Sequence, residues 1–410
     1  MTEFKHTELG NGLDVIAEVN PNACAASIGF FVRTGSRDES DEISGVSHFL
    51  EHMLFKGTPR RSAEDVNREL DAMGGVSNAF TNEEVTVYYV SVLPELQTQA
   101  VDLLADILRP SLREEDFHTE KKVILEEIKM YADQPPFGVD EKCRELFFKG
   151  HPLSRSVLGT AESVGSLTVS QMRAYFENRY SPGNIVVAAS GAVDFEKFVR
   201  DLEERCGGWE PKPVSRETFR PEGCAGEESF LRPSSAQEYL FLLSDAPSSR
   251  DDDRYAAALL ANIVGDDIGS RLFWALLDNG KADCASLGFS DYFDAGFFCA
   301  SLCCAPGKVS ENLKIMEEIL SQCVEEGITQ EELLRSQNKV LARLVRAAER
   351  SRGRLFSIGQ EWIQNRIYCP VSSDMEKVRA ITVDEMNRLL RKYPVTPKLS
   401  VAVGPMSDPF

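Results

Sequence analysis

LTVSQMRAYFENRYSPGNIVVAASG, residues 167–191, reads as a threonine-capped helix, a proline turn and a short apolar strand that ends on glycine. The same order of parts returns near the end of the chain as ITVDEMNRLLRKYPVTPKLSVAVG, residues 381–404. In each copy a threonine precedes about three helical turns, a tyrosine follows them, and a proline-containing turn introduces the strand. Thr168 and Thr382 are separated by about half of the 410-residue chain. A period that long points to a duplicated domain rather than to a solenoid of short repeats.

Other segments fit two halves. AASIGFFVRTGS (25–36) and QEYLFLLSDA (237–246) each read as a strand, followed by a turn rich in Gly, Ser and Asp and then an amphipathic helix. Between the halves lies GGWEPKPVSRETFRPEGCAGEESFLRPSS (207–235), rich in Pro, Gly, Ser and charge and without apolar periodicity, which reads as a linker. The expected division is therefore two α+β domains, 1–220 and 221–410, in keeping with a length at which a single core stops growing. Within the first, the opening residues read as a polar lead-in, an Asn11-Gly12 turn and a strand. VSNAFTNEEVTVYYVSVL (76–93) reads as a strand pair or one long strand. Helices are expected from Glu95 to about Lys149, stopped midway by the prolines of DQPPFG (133–138).

Composition narrows the function classes. The formal charge of −20 argues against nucleic acid, whose phosphates require basic patches. It describes either a well-solvated acidic surface or a cavity that attracts basic peptides. No apolar run approaches the roughly 20 residues that span a bilayer, and the first residues lack the basic-then-apolar order of a secretory signal. The ten cysteines form no C-x-x-C pair and no regular framework. Reduced, mostly buried thiols in a cytoplasmic protein are the expectation.

Chemistry concentrates in GVSHFLEHMLFKGT (45–58). On a helix His48, Glu51 and His52 share one face, because they relate as i, i+3 and i+4. Two imidazoles one turn apart can reach a single cation, and zinc favours such nitrogen ligands. Glu51 would then stand beside the metal, where a general base has to be. The competing description is a core helix that happens to carry histidine, since Val46, Phe49, Leu50, Met53 and Leu54 form the apolar stripe of one. A catalytic zinc takes three protein ligands, so a third must come from elsewhere. EDFHTEKKVILEEIKMYAD (115–133) offers Glu120 and Glu127, two turns apart on one face, and His118 near the helix start. Glu126 points about 100° away from Glu127.

These residues resemble a known family. H-x-x-E-H is the inverted zincin motif. With NAFTNEEVTVYY (78–89), EKKVILEEI (120–128), HPLSRSVLGTAESVGSLT (151–168) and RYAAALLANIVGDDIGSRLFWAL (254–276), essentially the whole chain resembles the pitrilysin/insulinase family of zinc peptidases. The nearest likeness is to mitochondrial processing peptidase β-type subunits and their bacterial single-gene relatives. The resemblance implies one zinc per chain held by His48, His52 and Glu127, with Glu51 as general base and Glu120 assisting near the metal. It implies that Asn78, Ala79, Phe80 and Thr81 form the edge strand along which a peptide substrate lies, a mode in which main-chain hydrogen bonds bind any extended segment. It also implies two homologous domains, each a mostly antiparallel sheet with helices on one face, arranged as a clamshell, the second lacking the zinc motif. A second such chain, identical or related, usually completes the chamber in short members. No membrane or nucleic acid is expected as a partner.

One departure stands out. Active members of the family carry an Arg and, seven residues later, a Tyr after the S-R-L-F segment, where they bind substrate and stabilise the oxyanion. Aligning on Ser270-Arg271-Leu272-Phe273 puts Leu277 and Cys284 at those places, with Arg271 and Tyr292 as the nearby residues of the right type. Three expectations follow: a different subunit supplies the pair, a homodimer handles substrate differently, or the chain is a zinc-containing, weakly active partner subunit.

Overall fold

The structure is a computed structural model that describes residues 2–133 and 138–410. The consecutive prolines Pro135 and Pro136, expected to stop a helix, lie outside the described residues. The first half supplies strands β1 (Glu3–Glu8), β2 (Asp14–Val19), β3 (Ala26–Val32), β4 (Val76–Thr81), β5 (Thr86–Val92) and β6 (Ile185–Gly191). Its helices are α1 (Val46–Leu54), α2 (Ala63–Ala72), α3 (Gln97–Ile107), α4 (Glu114–Asp133), α5 (Val139–Phe147), α6 (Ala161–Ser166), α7 (Val169–Arg179) and α8 (Phe195–Cys206). The second half supplies β7 (Gly226–Leu231), β8 (Glu238–Asp245), β9 (Cys284–Asp291), β10 (Gly296–Cys304) and β11 (Leu399–Gly404). Its helices are α9 (Arg254–Gly265), α10 (Val309–Glu326), α11 (Gln330–Ala348), α12 (Ser351–Asn365), α13 (Val371–Ala380) and α14 (Val383–Lys392).

The strands form two sheets, ordered β1-β2-β6-β3-β5-β4 and β7-β11-β8-β10-β9. Leaving out β1, the second order repeats the first strand for strand. The pairings repeat too: β2 with β6 and β7 with β11 are parallel, and the remaining ladders are antiparallel. The echo in the sequence is the element that closes this pattern. Thr168 and Thr382 each accept the backbone N–H three residues on, from Gln171 and Glu385, with the reciprocal side-chain bond of a capping box. The helices they cap, α7 and α14, lead into the equivalent strands β6 and β11.

Stretch 76–93 is a hairpin, turned at Asn82, whose side chain accepts the N–H groups of Glu84 and Val85. The polar lead-in is itself a strand, β1, paired with β2 across the Asn11-Gly12 turn. Part of the expected linker is strand as well: β7 lies within 207–235. Both are exposed edge strands, whose polar faces hide the alternation that betrays a buried strand.

The chain divides into two compact units, and one junction, between Glu217 and Thr218, falls close to residue 220. The units are not contiguous, however, and this corrects the simple division. Residues 346–369 belong with the first sheet and 131–154 with the second. The physical reason is visible in the strands. β3 and β6 are buried at every residue. Ile28, Phe30, Val187 and Ala189 join the main core under α1, α3, α7 and α8, while Phe31, Val186 and Ala188 face the other way. That second face is covered by Leu355, Ile358 and Ile363 of α12. In the other unit, α5 covers the corresponding face of β8, β10 and β11 with Val139, Cys143 and Phe147. Helices therefore form the main layer on one face of each sheet, and a single exchanged helix caps the opposite face.

Arg354 locks α12 in place. Its guanidinium, 5% exposed, forks onto the buried Glu18 carboxylate of β2, which also accepts the Tyr368 hydroxyl at 3.0 Å. Removing one partner of a buried pair strands the other charge. Arg354→Ala is expected to destabilise the first unit by about 3 kcal/mol, seen as a shifted midpoint in urea unfolding and as faster amide exchange in α12. An unchanged midpoint would contradict the docking of α12 described above.

Candidate metal centre

Helix α1 divides cleanly. Val46, Phe49, Leu50, Met53 and Leu54 are buried in the first core, leaving His48, Glu51 and His52 on the opposite face. Several contacts fix its entry. The Glu39 carboxylate, itself buried, accepts the N–H groups of Gly45 at 2.6 Å and Ser47 at 2.7 Å, satisfying donors that a helix start leaves unpaired. Ser47 and Thr34 both bond the Tyr175 hydroxyl at 2.8 Å, tying α1 to α7. Gly45 has φ +91°, and a Cβ there would stand 2.5 Å from the carbonyl of Leu158; one on Gly159 would stand 2.4 Å from that of Ser44. The two glycines let the Leu158–Gly159 backbone seat directly against the helix entrance.

Opposite α1 lies α4. Glu127 Oε2 is 3.9 Å from Nε2 of both His48 and His52. One ligand atom from each of the three residues lies within 4.8 Å of the others. Metal–ligand bonds of roughly 2.0–2.2 Å put neighbouring ligand atoms about 3.5 Å apart. A spacing of 3.9 Å is thus close to that of ligands sharing one cation, and too long for hydrogen bonds. Two imidazole nitrogens and one carboxylate oxygen are the donor set of a catalytic zinc site with positions left open. Burial, with His52 adding to it, pushes His48 down to about 4, so its ring is neutral and able to donate a lone pair near pH 7.

The remaining candidates sort by contact. Glu120 is 5% exposed and lies 3.2 Å from His52 Nδ1 and 2.6 Å from Lys56 Nζ. Its carboxylate fixes the His52 ring through Nδ1, leaving Nε2 turned towards Glu127, and so stands behind the His48–His52–Glu127 cluster. Lys56, absent from the expected site, is the residue sequence reasoning missed, although it lies one turn beyond His52 in the quoted motif. His118 is exposed and pairs with Glu114, and Glu126 is exposed and pairs with Lys129, so neither joins the cluster.

Glu51 accepts a 2.7 Å hydrogen bond from Thr81 Oγ1 at its Oε2, and burial raises its pKa. Thr81 was expected only as part of the substrate strand; it also holds the carboxylate of Glu51. Thr81→Val, which keeps the shape and removes the donor, is expected to raise the Glu51 pKa further, read by carboxyl infrared or NMR titration. An equal shift in Thr81→Ser, which retains a hydroxyl, would refute that role.

The rest of β4 also divides. Ala79 is buried in the core beneath the strand. Phe80 leans the other way, 5.8 Å from the Phe356 ring of α12, and Asn78 is exposed. In the second unit Arg271 forks onto Glu332 at 2.7 and 3.0 Å and also donates to the Gly327 carbonyl. Tyr292 packs among Phe148 and Phe297. Leu277 packs against the second core, and Cys284 is exposed at the start of β9. All ten cysteines are free thiols. Among the described residues, no helix is long and apolar enough to cross a membrane.

Comparison with known proteins places this chain in one class. Residues 14–161 match the insulinase family (peptidase family M16), and residues 166–340 match the peptidase M16 inactive domain. An uncharacterized zinc protease of Streptomyces coelicolor is 32% identical, covering 98% of this chain and 90% of that protein. The uncharacterized zinc protease YmxG of Bacillus subtilis is 30% identical over 93% of each. A Helicobacter pylori protease shares the fold with a TM-score of 0.92 at 20% identity, covering 98% of this chain and all of that one. The chain belongs to the insulinase (M16) peptidase family.

Proposed function

We propose that this chain is a zinc-dependent endopeptidase acting on extended or unfolded peptide segments, with His48, His52 and Glu127 as metal ligands and Glu51 as general base. The observation that carries this reading is the convergence of three donors beside a carboxylate that Thr81 holds at one oxygen only. A bound zinc would polarise the peptide carbonyl and bring a water's pKa towards neutrality. Glu51 Oε1, which Thr81 does not engage, accepts the proton of the attacking water and returns it to the leaving amine. Glu120 and Lys56 keep the His52 ring in orientation throughout.

β4 supports the mode of substrate binding. It is an outer strand, paired among the described residues with β5 alone. The Asn82 N–H bonds the Val85 carbonyl at the turn, so by alternation Phe80, Asn78 and Val76 pair inward, and the backbone groups of Ala79 and Ser77 face outward. An extended peptide adds to those groups as a further strand.

A second reading, a zinc-containing but weakly active partner of a related subunit, is favoured by the second unit. Arg271 is committed to Glu332, and Leu277 and Cys284 offer no donor comparable to an arginine or a tyrosine. Both readings include a dimer, of like or unlike chains. Treating the purified chain with a chelator is expected to abolish cleavage of an unfolded peptide, and restoring zinc to recover it. Cleavage that survives complete metal removal would sink the enzyme reading. Cleavage that appears only when a related subunit is added, with a matching change of mass in light scattering, would establish the second.

A further inference from the structure

β4 has a second end. Thr81, at one end, touches Glu51; Val76, at the other, is 54% exposed and borders a cavity of about 550 Å³. Three pieces of the first unit wall it. They are Val76 with its cross-strand neighbour Ser91, the turn before β3 including Asn22, and the residues that open α12: Glu349, Arg350 and Arg352. Ser27 ties these together, its hydroxyl 2.8 Å from that of Ser91 and 3.1 Å from that of Ser351. α12 packs on the sheet face to which Phe80 leans, with Phe356 against that ring, and Arg350 and Arg352 share the cavity wall with Val76.

The two arginines are unusual in their company. The chain carries 65 acidic against 45 basic side chains, and Arg354, next on the same helix, is locked to Glu18. Arg350 and Arg352 have neither an ion pair nor a side-chain hydrogen bond among the described residues. Glu349 is the one acidic residue on the wall, so the balance is cationic. Guanidinium groups present paired N–H donors that match a carboxylate.

We infer that this cavity is a remote subsite for a carboxylate of the bound peptide, read by Arg350 and Arg352. The inference rests on the proposed pairing of substrate along β4. From Thr81 to Val76 is five residues of extended chain, about 17 Å at roughly 3.3 Å each. The carboxylate therefore belongs about five residues from the cleaved bond, on a side chain directed to the α12 face. Aspartate or glutamate supplies it within a long substrate, and the terminal carboxylate supplies it where the peptide ends there.

Binding is measured by fluorescence anisotropy on the full chain carrying Glu51→Gln, with neutral decapeptides that differ in one Asp/Asn position or in a free-acid against an amidated terminus. The Asp peptide or the free acid is expected to bind about tenfold more tightly than its neutral twin, and Arg350→Gln/Arg352→Gln is expected to erase that difference while leaving the neutral peptide unchanged. With Glu51 intact, moving the Asp along the peptide is expected to move the cut, read by mass spectrometry, by the same number of residues. A carboxylate preference that survives the double substitution overturns the subsite, as does the absence of any preference in peptides that bind. A chain that shows the arginine-dependent preference but never cuts leaves the subsite standing and defeats the peptidase reading instead.

Discussion

Glu51→Gln is expected to lower kcat for peptide cleavage by about three orders of magnitude while leaving metal content and KM nearly unchanged. The substitution keeps the side chain's length and an acceptor for the Thr81 hydroxyl, so the strand edge and the metal ligands are undisturbed. What it removes is the capacity to take a proton at Oε1. Burial sharpens the effect: a carboxyl raised by desolvation sits closer to neutrality than an exposed one and is the better matched base. Steady-state kinetics with metal analysis on the same preparation separates the two roles available to this residue. If Glu51→Gln lost its metal, the carboxylate would be a ligand rather than a base. If it kept the metal and a tenth or more of wild-type kcat, proton transfer by Glu51 would not be part of the reaction.

The parts of the site that lay within one helix were legible in the sequence, because helical periodicity alone puts His48, Glu51 and His52 on one face. The duplication was legible for a similar reason, since a cap, a turn and an apolar strand are local signals. The exchanged helices were not. α5 and α12 are ordinary amphipathic segments, and nothing in them says which sheet they cover; that depends on apolar faces far away in sequence, such as Phe31 and Val186 for α12. Arg271 shows the same limit. In sequence it is a nearby arginine with no indicated partner, and the partner it has, Glu332, is set by packing across 61 positions. Among the described residues the second unit holds no comparable group of metal-ligating side chains. Helix α11, the counterpart of α4, presents Arg343 and Lys339 to Asp266 at 2.7 and 3.4 Å. Cations stand on the helix whose counterpart offers Glu127, and an ion-pair network replaces a ligand cluster.

Removing the third ligand tests the centre most directly. Glu127→Ala is expected to abolish stoichiometric zinc binding and cleavage together, because two imidazoles on one helix leave the cation half-held. Three companions give the result its meaning. Glu120→Ala leaves all three donors in place but frees the His52 ring and unpairs Lys56. Loss of such a group behind a ligand typically costs 10- to 100-fold in metal affinity, so this variant is expected to be rescued by added zinc where Glu127→Ala is not. His118→Ala and Glu126→Ala are expected to match wild type, since both side chains are exposed and paired within their own helix. Competition titration against a chromophoric chelator ranks the four. The assignment fails if Glu120→Ala loses zinc more completely than Glu127→Ala, for then the carboxylate 3.2 Å from His52 Nδ1 would be the ligand and the one facing both Nε2 atoms would not.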